Sequence, residues 1–99
     1  MPRLYLDVDP RELHAPSSRT SGADPFKLHR QIARYGASSA GMPPIEVYEY
    51  SDGALVIYNG VTRATRIAKL APGALVRVEV IGRIRLAGAS HPKIGDLIP

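Results

Sequence analysis

The sequence predicts an α+β fold, a small mixed β-sheet with flanking helices. Three observations predict it. Short stretches of alternating apolar and polar residues stand near the start, in the middle and towards the end of the chain. Two of the central ones are joined by Ser51-Asp52-Gly53, a link of hairpin length ending in Gly. Two stretches with helical spacing, each with start and stop signals, stand before and after that hairpin. The resulting order, β–turn–α–β–β–α–β, implies helices packed against a mixed sheet. At 99 residues the chain reads as one domain, 1–99, able to bury roughly 60–65% of its unfolded surface.

Residues 3–8 alternate, with Leu4, Leu6 and Val8 on one face and Tyr5 and Asp7 on the other. Asp9-Pro10 ends this strand, because Pro10 has no N–H to give a ladder. Asp9 can cap a single helical turn over 10–13, with Pro at its first position. Residues 14–24 (HAPSSRTSGAD) read as a loop, long for a compact domain and of the kind that serves as a lid, a binding segment or a plain connection. Asp24 caps a helix from Pro25-Phe26 to about Tyr35, stopped by Gly36. Its apolar stripe is read as Phe26, Ile32 and Ala33 with Leu28 and Tyr35 nearby. His29, Arg30 and Arg34 form a solvated face.

Residues 37–44 are a Gly/Ser/Pro loop, and 45–50 and 54–59 are the hairpin strands. A helix follows over 61–70, with Val61, Ala64, Ile67, Ala68 and Leu70 as the buried stripe and Arg63, Arg66 and Lys69 as a ridge at three-residue spacing. Ala71-Pro72-Gly73 ends it. A long strand spans 75–86, with Val76, Val78, Val80, Ile84 and Leu86 on one face, Arg77, Glu79, Arg83 and Arg85 on the other, and Gly82 marking a bulge. The tail, 87–99, packs irregularly through Ile94, Leu97 and Ile98.

The candidate site is the junction Ile57-Tyr58-Asn59-Gly60-Val61-Thr62-Arg63-Ala64-Thr65-Arg66. An apolar strand meets a single Gly, and a basic amphipathic helix leaves it. In that arrangement backbone N–H groups and a helix N-terminus can hold a phosphate.

Composition sets bounds. Apolar residues are 44% and charged residues 22% of the chain, as in ordinary globular proteins. Thirteen Lys/Arg against nine Asp/Glu leave +4, an excess that suits phosphates, nucleic acid or an acidic partner, or simply a solvated surface. The absence of cysteine excludes disulfides, thiolate catalysis and Cys-ligated zinc. No run approaches the ~18 apolar residues of a membrane span, and Met1-Pro2-Arg3 does not open a signal peptide. The expected location is cytoplasmic, with export without a cleavable signal as the alternative.

The order of elements, with the residues at its centre, resembles the ParB/sulfiredoxin-like superfamily. The matching run is Met42-Pro43-Pro44-Ile45-Glu46-Val47, Asp52-Gly53, Asn59-Gly60-Val61-Thr62-Arg63, Ala71-Pro72-Gly73 and Val76-Arg77-Val78-Glu79-Val80, and it covers residues 45–81 best. Members typically show a Pro-Ile-x-Val strand, an Asp-Gly turn, a strand ending in Gly-x-x-Arg, a helix, a Gly and a Val-x-Val strand. In the family the Gly-x-x-Arg corner binds nucleotide phosphates at a helix N-terminus. The resemblance therefore implies that Gly60 lets the backbone approach an anion, Thr62 offers a hydroxyl and Arg63 pairs with phosphate oxygens. Arg66, one turn on, reaches either the same anion or only water, and the plainer roles are a tight turn for Gly60 and a bond to its own backbone for Thr62. Asn59 completes the corner. A nucleoside triphosphate with Mg²⁺ is the implied cofactor.

The departures narrow this. The catalytic Cys of sulfiredoxin has no counterpart. Free-serine kinases and many relatives place an acid before the Gly and a His within the motif, where this chain has Asn59, Val61 and Thr62. CTP-binding ParB proteins read Gly-Glu-Arg-Arg there and carry a helix-turn-helix region that this length does not hold.

Other residues offer less. His14, His29 and His91 lack metal-ligand spacing, and no metal is expected. Asp7, Asp9, Glu12 and Glu46 are the acidic candidates for a base or Mg²⁺ ligand, with capping the simpler role for Asp9 and strand exposure for Glu46. Tyr48 and Tyr50, with Arg77, Arg83 and Arg85 in the same sheet, read either as a stacking surface for single-stranded nucleic acid or as cross-strand pairs.

Three functions are thus expected in order: a nucleotide- or phosphate-binding domain, with phosphotransferase or NTPase-like activity in view; a nucleic-acid-directed effector of nuclease or toxin type, or a DNA/RNA-binding module; and a non-catalytic module for a protein partner. Ligand identity and oligomeric state are not readable from the chain.

Overall fold

The computed structural model describes residues 3–98. Met1 and Pro2, part of the opening read as no signal peptide, and Pro99 at the end of the tail lie outside the described residues. Four strands, β1 (Leu4–Val8), β2 (Ile45–Tyr50), β3 (Leu55–Asn59) and β4 (Val76–Ile84), form one sheet in the order β1-β4-β2-β3. β1 runs antiparallel to β4, β4 parallel to β2, and β2 antiparallel to β3. Two helices, α1 (Pro25–Tyr35) and α2 (Val61–Leu70), complete an α+β domain.

Local chemistry explains the boundaries. Asp24 Oδ1 accepts from the N–H groups of Phe26 and Lys27 at 2.9 and 3.4 Å, capping α1. Gly36 closes α1 by donating its N–H to the Ile32 carbonyl. In the hairpin Tyr50 and Ala54 are joined across Ser51-Asp52-Gly53, with Gly53 at φ +84°. Asp9 caps a 3₁₀ turn at Pro10–Glu12.

α2 lies on one face of the sheet. Ala64, Ile67 and Ala68 join Ile45, Val47, Ile57, Val76 and Val78 in the core, closed at one end by Leu13, Ala15 and Ile94. Each fully buried side chain such as Ile45 or Ile57 contributes about 1.5–3 kcal/mol relative to exposure. α1 packs against α2.

Several details depart from the expected patterns: the last strand, expected over 75–86, ends at Ile84 and leaves Leu86 67% exposed, and Leu70, expected in the buried stripe, is 38% exposed. In α1 the buried residue is Leu28, while Phe26 is 82% exposed and Ala33 is exposed. The side turned inward is Leu28, Gln31 and Ile32, a set at helical spacing that admits one polar member. In β4 the register against β2 jumps from Val47↔Val80 to Tyr48↔Gly82, so Ile81 is an extra residue. One extra residue inverts side-chain parity, and Ile84 moves to the Tyr50 side, away from Val76 and Val78.

The segment expected as a loop, 14–24, is partly built into the sheet. His14 donates its N–H to the Leu55 carbonyl and accepts from Ile57 N, and Ala15 and Leu13 bond to Pro92 and Ile94. Buried backbone groups must pair, and here they pair at long range, which alternation cannot reveal. On the other face the tail returns over the hairpin. The two oxygens of Asp52 accept from Gly88 N at 3.1 Å, and Oδ2 accepts from Ala89 N at 2.9 Å. A Cβ at Gly88 would lie 2.8 Å from Tyr50 Cγ.

Candidate functional site

The corner is set by two irregularities in succession. Between β2 and β3 the register runs Val47↔Ile57 and then Glu46↔Asn59, so Tyr58 is a bulged residue. Bulges re-aim side chains, and Tyr58 is 63% exposed, with its ring edge-on to Tyr48 at 5.7 Å and 89°. Gly60 follows at φ +118°, ψ +19°, and stands as N-cap of α2. That backbone geometry is strained for any L side chain. A Cβ there would also lie 3.0 and 3.1 Å from Cγ1 and Cγ2 of Ile45. No side chain caps the helix. The first-turn N–H groups of α2 have no acceptor within the helix.

A cleft of about 360 Å³ opens at this corner. Asn59, Gly60, Thr62 and Arg63 line it from the β3–α2 junction, with Tyr58 and Val61. Ser18 and Arg19 reach it from the 3₁₀ turn Ser17–Arg19, and Lys27 and Gln31 from α1. Among the described residues three cations and no carboxylate line the cleft. None of the three takes part in the ion pairs among the described residues, which are Arg3–Glu79, Arg77–Asp7, Arg83–Glu49 and Lys93–Glu12.

The charges at this cleft are held where they are not self-sufficient. Lys27 and Arg63 are each the third residue of their helix, at the positive end of its dipole. A cation there costs about 0.3–1 kcal/mol. Burial, and then the neighbouring charge of Arg66, lower the pKa of the Arg63 guanidinium, which nonetheless stays protonated at neutral pH. Arg63 Nη1 donates to the Pro43 carbonyl, which supplies a hydrogen bond but no charge. An anion in the cleft would supply the missing charge. Gln31 Oε1, at the inner wall, is buried without a hydrogen-bond partner.

Of the five residues expected at the site, Asn59, Gly60, Thr62 and Arg63 share this cleft and Arg66 does not line it. Arg66 is fully buried. Its Nη1 donates to the carbonyls of Gly36 and Ser38 at 2.6 and 2.7 Å, and Nη2 lies 3.5 Å from Met42 Sδ. The Tyr35 ring lies over its guanidinium at 5.5 Å. One helical turn beyond Arg63, it meets the end of α1 and the following loop, where a cation is favourable. Asn59 Nδ2 approaches Glu46 Oε1 at 3.5 Å, so Glu46 faces its cross-strand partner.

Reading by motif missed Ser18, Arg19, Lys27 and Gln31, which come from other segments, and gave no role to Tyr58, which a bulge brings to the cleft wall. One signal was available. The two helices hold six of the thirteen Lys and Arg and none of the nine Asp and Glu, so they carry +6 and the rest of the chain −2.

The alternative surface on the sheet is differently arranged. Arg77 is 3.3 Å from Asp7 and Arg83 is 3.0 Å from Glu49, and Tyr50 is covered by Gly88 and by His91, whose ring is 5.6 Å away. His14 and His91 act in the tail's docking. His14 Nδ1 donates to the His91 carbonyl at 2.7 Å, and His91 Nδ1 to the Ala15 carbonyl at 3.2 Å. Among the described residues no group of three or more His, Cys, Asp or Glu is placed to hold a metal ion. No helix among them is long and apolar enough to cross a membrane. Compared with protein families, curated proteins and solved structures, the chain matches none of them.

Proposed function

We propose that this chain is a cytoplasmic nucleotide- or phosphate-binding domain of the ParB/sulfiredoxin-like kind, its ligand's phosphate seated at Gly60–Arg63. The observation that carries the reading is the cleft at the uncapped start of α2, lined by Arg19, Lys27 and Arg63 with no carboxylate among the described residues of its walls. Phosphate oxygens there take N–H groups from the first turn, charge-assisted bonds from Arg63, and hydroxyl donors from Thr62 and Ser18. Asn59 offers a partner to a sugar or base. The cleft volume of about 360 Å³ suits a mononucleotide. For a nucleoside triphosphate, Mg²⁺ arrives with the phosphates, as it commonly does.

The test is thermal unfolding with ATP, CTP, GTP and ADP, with and without Mg²⁺, for wild type and for Arg19→Ala, Lys27→Ala and Arg63→Ala. A ligand at 100 times its Kd stabilises the fold by about 2.7 kcal/mol. Wild type is expected to shift with at least one nucleotide, and each variant to lose part of that shift. Arg19 and Lys27 are exposed, so their variants separate binding from folding. No shift with any nucleotide overturns the proposal.

A further inference from the structure

The basic character of the cleft does not end at its rim. Lys27 and Gln31 line both this cleft and a second one of about 550 Å³, whose other walls are Arg30, Arg34 and Tyr35. The two clefts therefore share a wall of α1 and lie side by side along it. From Lys27 to Arg34 the helix rises about 10 Å. Arg30 and Arg34 are exposed, and neither takes part in an ion pair among the described residues. The charge is segregated as well: the four ion pairs among the described residues lie on the strands, the N-terminal segments and the tail, and none of them on α1 or α2.

A single phosphate occupies one end of such a path and leaves Arg30 and Arg34 without a role. A ligand with phosphates repeated along a flexible backbone engages all of it. Tyr58 adds the second element such ligands need. It is a bulged, mostly exposed ring at the wall of the first cleft, steadied edge-on by Tyr48. Aromatic faces of this kind stack bases regardless of sequence.

We propose that the Gly60 cleft and the α1 groove form one track for single-stranded nucleic acid. One phosphate sits at Gly60–Arg63, its base lies against Tyr58, and the following phosphates pass Lys27, Arg30 and Arg34. The inference rests on the phosphate reading of the corner and extends it to a polymer.

The test is fluorescence anisotropy with labelled thymidylate and uridylate octamers at several salt concentrations, beside the thermal shift with the mononucleotides TMP and UMP. The octamer is expected to bind at least tenfold more tightly than the mononucleotide. Four to five neutralised phosphates give a slope of log K on log salt near −3. The double variant Arg30→Gln, Arg34→Gln, on an exposed helix face, is expected to weaken the octamer by about tenfold or more and make the slope shallower by ~1.4. It is expected to leave the mononucleotide shift unchanged. Tyr58→Ala is expected to weaken both ligands by at least about fivefold.

If the octamer binds no better than the mononucleotide, or the double variant binds it as wild type does, the track is wrong while the corner stands. If neither ligand binds, the track is wrong, and a shift with ATP, CTP, GTP or ADP decides separately whether the corner stands. Displacement of the octamer by polyglutamate at matched charge would also overturn the proposal, by showing a surface indifferent to phosphate and base.

Discussion

Gly60→Ala tests the corner's construction directly, because two separable costs meet at one atom. The first is conformational. At φ +118° and ψ +19° an L residue is strained, at about 1–3 kcal/mol for a sparsely populated region. The second is steric. The new Cβ would be 3.0 Å from Cγ1 and 3.1 Å from Cγ2 of Ile45, a residue 1% exposed in the middle of the core. Ile45 has little room to withdraw, and overpacking of this kind costs about 1–3 kcal/mol. The sum is about 2–6 kcal/mol, a large part of the roughly 5–15 kcal/mol available to a domain of this size. The assay is urea unfolding of wild type, Gly60→Ala, Ile45→Ala and the double variant. Removing the Ile45 methyls should relieve the steric part, so the double variant should be about 1–3 kcal/mol more stable than additivity predicts. The conformational part should remain. A Gly60→Ala variant within about 0.5 kcal/mol of wild type, or strict additivity, would refute the reasoning.

Three other outcomes follow from the same geometry. Arg66→Met should cost about 2–4 kcal/mol, because the carbonyls of Gly36 and Ser38 lose their buried donor; hydrogen exchange at the amides of Ser38 and Met42 should speed up, and a loss below about 1 kcal/mol would contradict the role given to Arg66. Lys27→Gln removes a cation from the positive end of α1, so Tm should rise by about 1–8 °C while nucleotide binding weakens; a drop in Tm would show that Lys27 is not held against the dipole. Asp52 is held below its ordinary 3.8 by hydrogen bonds from Gly88 N, then Ala54 N, with a smaller part from Ala89 N. A lowered folded-state pKa gives stability that is complete above the unfolded value and lost as pH falls through the folded one. Stability should therefore decline below pH 3.8, and Asp52→Asn should flatten that acid limb in unfolding experiments across pH.

The sequence by itself determined both helices and the central hairpin. Asp24 with Pro25 and Gly36 bounded α1, Gly53 placed the hairpin, and Gly60 with Ala71-Pro72-Gly73 bounded α2. These signals act within a few residues, so they are written beside the structure they specify. The α+β class followed from their order, and four of the five expected site residues came to one cleft because they are contiguous in the chain.

Only the tertiary structure decided the rest. Which side of α1 is buried depended on α2 and the tail rather than on α1's own hydrophobicity, so Phe26 stayed outside and Leu28 went in. Two bulges inverted side-chain parity, bringing Tyr58 to the cleft wall and Ile84 to the Tyr50 side. Arg63 and Arg66, alike in sequence, were separated by what stands over each turn of α2: a cleft over the first, the end of α1 over the second. Arg19 and Lys27 reached the cleft across more than thirty residues of chain from Gly60. Caps and turns are local bonds that propensity can encode. The sides that elements turn to one another, and the charges that meet there, depend on packing between distant segments.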